Sequence, residues 1–444
     1  MSVKVGLISL GCPKNLVDSE TMLGLLKDAG FEITGREREA DVLIVNTCSF
    51  IDDAKEESIK TILELARLKE EGKCRALLVT GCLAQRYPGE LQAEMPEIDG
   101  LIGTGLLPGV PGVVRRVLAG EKVVAVGAPG YLHSARLSRI LATPGYTAYL
   151  KIAEGCDNRC SYCTIPAVRG PFRSREIDDL LAEAEELAGR GVKELILVAQ
   201  DTTRYGKDLY GRPVLDGLLG RLAAVEGLVW LRLLYTYPTL LTDELIRLMA
   251  REKKICRYLD LPLQHAANPV LSRMNRRGGR EEAARLVEKL RSEVPGITLR
   301  TSFIVGFPGE TEEDFRELLD FMAQVRFDRV GVFAYSREEG TTAAEMSGQA
   351  PEAVKVERRE RAMALQQEIS LEKNRRKIGE EITVLVEESG LKERGFYTGR
   401  SEGDAPEIDG RVYFKADRIL NPGDFVKVSV KGARPYDLTG ELVP

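Results

Sequence analysis

The nine residues Gly155-Cys156-Asp157-Asn158-Arg159-Cys160-Ser161-Tyr162-Cys163 place three thiols within one short stretch. They follow the apolar alternation of Tyr149, Leu150 and Ile152, which reads as a strand running into a loop. Three thiolates on one loop can hold a metal. An iron–sulfur cubane normally takes four protein ligands, so a loop that supplies three leaves one iron open for chemistry. Two other chemistries share the pattern at this level. Cys160-Ser161-Tyr162-Cys163 is a C-x-x-C that can form a redox disulfide, and three cysteines can belong to a zinc site completed by a distant ligand.

The surrounding elements decide what such a loop can meet. Val3 to Ser9 reads as a strand, Gly11 to Val17 as a loop, and Asp18 or Ser19 as the cap of a helix that Gly30 stops. Asp41 to Asn46 and Ala76 to Thr80 read as further strands, with a helix from about Asp52 to Lys69 between them. This βα alternation predicts a parallel sheet covered by helices. Cys12, Cys48 and Cys82 each follow one of its strands. In an open parallel sheet the carboxyl ends share one edge, where ligands bind, so these three are expected to form a second metal site. Cys74 and Cys256 are read as inert core thiols.

We assign residues 1–120 to this α/β domain and 121–145, rich in Gly and Pro, to a connector. Residues 146–372 carry six strand candidates separated by helices, which predicts an incomplete (β/α)6 barrel. Its active face lies at the carboxyl ends of the strands, where the three-cysteine loop, Gln200, Gln264 and His265 all fall. Residues 373–444 change texture: Ile382, Val384 and Val386 alternate, as do Val426, Val428 and Val430, predicting a small antiparallel β-barrel. From Ile378 onward nine Lys or Arg stand against thirteen Asp or Glu, a net charge of −4.

A chain of 444 residues exceeds one compact core, and 43% apolar with 30% charged residues is ordinary for a soluble globular protein. Met1 to Leu10 lacks the features of a secretion signal, and no apolar run has membrane-spanning length, so a cytoplasmic protein without a membrane partner is expected. In a reducing compartment clustered cysteines are better read as metal ligands than as disulfides. The net charge of −5 argues against nucleic acid as the main partner. With only His133 and His265 in the chain, a His-rich zinc site is excluded. The run Arg273 to Arg280 is read as solvated charge.

Cys156, Cys160, Tyr162 and Cys163 at the head of a βα barrel resemble the signature of the radical S-adenosylmethionine (SAM) superfamily. The resemblance implies a [4Fe-4S] cluster whose open iron is chelated by SAM, and reductive cleavage of SAM to methionine and a 5′-deoxyadenosyl radical. It implies cofactor contacts from Tyr162. Ile304-Val305-Gly306-Phe307-Pro308-Gly309-Glu310-Thr311 resembles the adenine-supporting segment, with Gly306 and Gly309 letting backbone approach a ligand. Gln200, at a strand end, is a further candidate SAM contact.

Joined to three more cysteines in an α/β domain and to a terminal module resembling the TRAM domain, this barrel resembles the methylthiotransferases over essentially the whole chain. That implies a second [4Fe-4S] cluster on Cys12, Cys48 and Cys82, one SAM as methyl source, another as radical source, and an electron donor as partner. No acid or base pair could break the C–H bond concerned, so the cofactors carry the chemistry and no side chain is assigned a catalytic role. Gly11-Cys12-Pro13-Lys14-Asn15-Leu16-Val17-Asp18-Ser19-Glu20 and Asp404-Ala405-Pro406-Glu407-Ile408-Asp409-Gly410 resemble the ribosomal-protein (RimO-type) branch. The implied substrate is the β-carbon of an aspartate in the small-subunit ribosomal protein uS12, a basic partner suited to an acidic tail. The alternative is the transfer RNA (MiaB-type) branch, which the charge disfavours.

Overall fold

The computed structural model describes residues 2–389 and 395–444. Its first sheet is built from β1 (Lys4–Ser9), β2 (Glu32–Ile33), β3 (Val42–Thr47), β4 (Ala76–Gly81), β5 (Gly100–Ile102) and β6 (Val123–Ala125). All pairings are parallel, in the order β2-β1-β3-β4-β5-β6. β3 and β4 are apolar runs buried along their whole length because helices cover both faces of the sheet. Leu43, Val45, Leu77 and Val79 pack on Ile62 and Leu65, while Val42, Ile44 and Leu78 pack on Met22, Leu26 and Val114. The strand order reverses between β1 and β3, which makes their shared carboxyl edge the natural crevice. β6 extends this sheet from within the segment 121–145.

The first helix, Pro13–Asp28, starts directly after Cys12, where a loop to Val17 was expected. Proline explains the early start: its fixed φ suits the first helical position, and it has no N–H to leave unpaired there. Asp18 and Ser19 are consequently not caps. They lie buried inside the helix, and so does Lys14.

The second unit contains β7 (Thr147–Lys151), a short antiparallel pair β8 (Ala153–Glu154) and β9 (Arg173–Ser174), then β10 (Glu194–Val198), β11 (Trp230–Leu233), β12 (Ile255–Asp260), β13 (Thr298–Val305) and β14 (Arg329–Ala334). Strands β7, β10, β11, β12, β13 and β14 pair in that order, all parallel, and the sheet stays open. Side chains alternate across it. Leu195, Leu197, Leu231 and Leu233 pack among residues of the covering helices, whereas Tyr149, Ile196, Val198, Trp230 and Tyr258 form a separate cluster on the other face.

An open barrel leaves that second face to be covered, and the third unit covers it. β15 (Glu381–Ser389), β16 (Phe396–Ser401), β17 (Val412–Lys415), β18 (Phe425–Ala433) and β19 (Leu438–Leu442) close into a barrel in the order β15-β16-β17-β19-β18. Every junction is antiparallel except β17–β19, because five strands in a ring cannot alternate direction at every contact. Leu385 and Ala405 from this module, and Val17 from the first domain, join the cluster around Tyr149 and Trp230. Asp404 pairs with Arg329 at 2.7 Å, and Asp409 with Arg300 at 2.8 Å and the Tyr258 hydroxyl at 2.7 Å. The acidic stretch Asp404 to Gly410 is therefore spent partly on the chain's own barrel.

Glu194 on β10 ties the two units together. Its carboxylate takes Arg232 at 2.9 Å and Arg400 of β16 at 2.6 Å, all three side chains being buried. Burial opposes its charge, but the two guanidiniums prevail and hold its pKa down at about 2. A lowered carboxyl pKa stabilises the fold fully above the ordinary value of 4.5, and that contribution is lost as pH falls towards 2. Glu194→Ala leaves the buried Arg232 without a carboxylate partner and Arg400 with Glu387 alone, so a loss of about 3 kcal/mol or more is expected, read as a lower midpoint in thermal or urea unfolding at pH 7.

Candidate functional site

The register of the first sheet brings its cysteines to one level. Ser9, Asn46 and Thr80 lie side by side on β1, β3 and β4, and Cys12, Cys48 and Cys82 follow them at the carboxyl edge. Gly11 makes the close approach feasible: its φ is +84°, and a Cβ there would lie 2.7 Å from the Cβ of Cys48. The Ser58 hydroxyl fixes Cys48 by accepting from its N–H at 3.1 Å and donating to its carbonyl at 3.0 Å. Burial raises the Cys48 thiol to about 12, helped by the neighbouring charges of Cys82 and Cys12. Burial likewise raises Cys82, although the Arg169 guanidinium, with Nη2 at 3.5 Å from Sγ, opposes it.

The second trio occupies the loop after β8. Gly155, with φ +80°, turns the chain so tightly that a Cβ would overlap the Pro171 carbonyl oxygen. The Cys156 N–H donates to Gly170 O at 3.1 Å, Ser161 N–H to Met274 O at 3.0 Å, and Asn158 Nδ2 to Asp201 at 2.8 Å. Burial raises Cys156 to about 11 and Cys163 to about 12, with Cys160 adding to both. Arg276, in the run read as solvated charge, is not solvated. It stacks 4.1 Å from the Tyr237 ring, donates to Pro262 O, and places Nη1 3.8 Å from Cys160 Sγ. Folding of the segment after Met274 back over the cysteine loop, through the Asn275 Nδ2 bond to Arg159 O at 2.6 Å, produces this contact. Sequence spacing carries no signal for it.

The remaining candidates divide. Tyr162 packs edge-on to Phe307 with ring centroids 6.4 Å apart, so it couples the cysteine loop to the segment Gly306–Thr311. Gly306 and Gly309 have φ of +69° and +75°, but the space beside them is filled by Lys355 and Arg273. The positive φ favours glycine at both positions, and a Cβ there would press on these side chains. Gln200 donates Nε2 to Glu154 at 2.6 Å and leaves its buried Oε1 without a partner. His265 is buried, accepts the Ala267 N–H at 3.0 Å, and is held neutral by burial, with its pKa lowered to about 3.

A buried ion network missed in the sequence connects the two trios. Asp18, on the helix that Cys12 precedes, pairs with Lys151 of β7 and at 2.6 Å with Arg169. Glu154 takes Lys151 at 2.7 Å and Arg169 at 3.3 Å, and Asn15 accepts from Arg169 at 2.9 Å. The Asp18 signal was present as an acid inside an apolar helix face, but its partners lie over a hundred residues away. Beside the network, Lys14 sets its ammonium 3.2 Å over the Tyr235 ring.

The donor sets fit iron–sulfur clusters. Burial, and then the neighbouring cysteines, raise the thiols of Cys48, Cys82, Cys156 and Cys163, so a cationic body is needed to hold them ionised together. Among the described residues no three His, Cys, Asp or Glu side chains converge on a single ion. The unpartnered Gln200 Oε1 beside the second trio offers an acceptor to a ligand bound there.

Comparison with known proteins agrees with this geometry. Residues 4–103 match the model of uncharacterized protein family UPF0004, residues 150–322 the radical SAM superfamily, and residues 378–443 the TRAM domain. The ribosomal protein uS12 methylthiotransferase RimO of Pelotomaculum thermopropionicum is 72% identical over 443 residues, covering 100% of both chains. That of Desulforamulus reducens is 58% identical over 99% of each, and that of Geobacter sulfurreducens 52% over 99% of this chain and 98% of its own. Among solved structures, the radical SAM methyltransferase TsrM from Kitasatospora setae aligns over 86% of this chain and 79% of its own with a TM-score of 0.55; at 18% identity it shows the fold alone. Three matched domains in the right order and end-to-end identity above one half place the chain in the family of ribosomal protein uS12 methylthiotransferases of the RimO type, radical SAM enzymes with an amino-terminal UPF0004 domain and a carboxyl-terminal TRAM domain.

Proposed function

We propose that the chain transfers a methylthio group to the β-carbon of an aspartate in ribosomal protein uS12, consuming one SAM as methyl source and a second as radical source. The observation that carries this reading is the pair of cysteine trios on facing domain edges, joined by the Asp18, Lys151, Glu154 and Arg169 network. Cys156, Cys160 and Cys163 would hold one [4Fe-4S] cluster and Cys12, Cys48 and Cys82 the other. When bound, the first supplies the electron for SAM cleavage and the second a seat for the sulfur that becomes methylated. The chain's own residues hold and shield these groups. Arg276 and Arg169 place positive charge on Cys160 and Cys82, Gln200 keeps an open acceptor, and the packing of Tyr162 on Phe307 closes the loop against water.

Among the described residues no helix is long and apolar enough to cross a membrane. We place the enzyme in the cytoplasm, with uS12 and an electron donor as partners. Mass spectrometry of uS12 and of transfer RNA from a deletion strain tests the substrate. Loss of the methylthio group from uS12 is expected; its loss from transfer RNA moves the assignment to the other branch.

The strained turn before Cys156 gives a second test. Gly155→Ala is expected to lower iron uptake on anaerobic reconstitution from about eight per chain to about four, since only the trio of Cys12, Cys48 and Cys82 keeps its geometry. Uptake that stays at about eight would show that the loop tolerates the added Cβ.

A further inference from the structure

Lys14 is a buried cation whose neighbouring carboxylates are all engaged elsewhere. The charges of Cys12, Glu154 and Asp260 reach it, in that order, yet among the described residues no carboxylate lies within ion-pair distance of its ammonium. Glu154 is held by Lys151, Arg169 and Gln200. Asp260 accepts the Tyr235 N–H at 2.9 Å and faces Arg300 at 3.8 Å. Asp18 is shared by Lys151 and Arg169. What Lys14 has is the face of Tyr235, 3.2 Å away. An aromatic face attracts an ammonium but gives it no carboxylate partner.

The position suits an incoming anion. Lys14 lies on the first turn after Cys12, and Tyr235 follows β11 at the carboxyl edge of the barrel, with a φ of +60° that a non-glycine residue rarely adopts. The Tyr235 N–H bond to Asp260 holds that conformation and keeps the ring beneath the ammonium. Cys12, Leu16 and Tyr235 around it are only partly buried. A substrate whose reacting carbon is bonded directly to a carboxylate would be fixed at that carbon by anchoring the carboxylate here. A desolvated charge pair also discriminates strongly against the neutral isostere.

Resting on the substrate class proposed above, we propose that Lys14 is the specificity residue that receives the carboxylate of the substrate aspartate and so fixes its β-carbon. The test is binding of the anaerobically reconstituted enzyme to uS12 and to uS12 with the target aspartate replaced by asparagine. The wild-type chain is expected to prefer the aspartate form by about tenfold or more. Lys14→Gln should bind both forms alike, and Lys14→Arg should restore the preference. Because the preference is a ratio measured within one variant, a partly active preparation does not obscure it. A preference that survives in Lys14→Gln overturns the proposal, and a shifted cluster EPR spectrum alongside it would make Lys14 a partner of the Cys12 site instead. A wild-type chain that binds both forms equally overturns it as well. A wild-type chain that binds neither form removes the substrate reading itself, and this proposal with it.

Discussion

Cys156→Ala is expected to reduce deoxyadenosine formation from SAM and dithionite to background. Cys156 supplies one of three thiols, and its place is fixed by its bond to Gly170 O and by the Gly155 turn, so no neighbouring side chain can substitute. The two other buried cysteines, Cys74 and Cys256, lie in the apolar clusters of the first sheet and of the barrel face. Loss of a supporting contact around a metal ligand typically costs about 10–100-fold, and loss of a ligand from a set of three should cost more. Iron content should fall with activity, from about eight to about four per chain. Cys256→Ala, by contrast, removes a thiol packed beside Trp230 and Tyr258 and should leave iron unchanged. SAM cleavage that persists in Cys156→Ala, or zinc recovered where iron is expected, would sink the radical assignment.

The sequence made much of this legible because the informative residues obey local rules. Cysteines after strands land on one edge if the sheet is parallel, and β1, β3 and β4 are parallel neighbours in register. The six barrel strands could be placed by apolar runs between helices, since each strand is buried against its own covering helix. What stayed hidden is long-range charge. Arg276 looked solvated because nothing local shows that the chain folds back over Cys160. Asp18 looked like a cap because acids at helix starts usually are caps; only Lys151 and Arg169, from another domain, explain its burial. The acidity of the terminal module was read as a surface for a basic partner, yet Asp404 and Asp409 neutralise Arg329 and Arg300 inside the chain. The surface argument rests on the acids that remain exposed.

Cys48→Ala should separate the two halves of the reaction: SAM cleavage to deoxyadenosine within about twofold of wild type, and methylthio transfer to uS12 at background. The choice among the three amino-terminal cysteines follows from the ion network. Cys82 touches Arg169, which also holds Glu154, so its loss would be felt near the radical site. Cys12 adjoins the helix that carries Asp18 and Lys14. Cys48 is anchored by Ser58, and both belong to the first domain. Its removal therefore empties one site while leaving the Asp18, Lys151, Glu154 and Arg169 contacts intact, and groups that share no partner respond independently to substitution. Equal loss of deoxyadenosine in Cys48→Ala and Cys156→Ala would mean that the trios do not divide the chemistry, or that the network couples them so tightly that neither site forms alone. Unfolding midpoints decide between the two. A midpoint unchanged in Cys48→Ala leaves shared chemistry, whereas a lowered one shows that the amino-terminal trio helps to hold the barrel together.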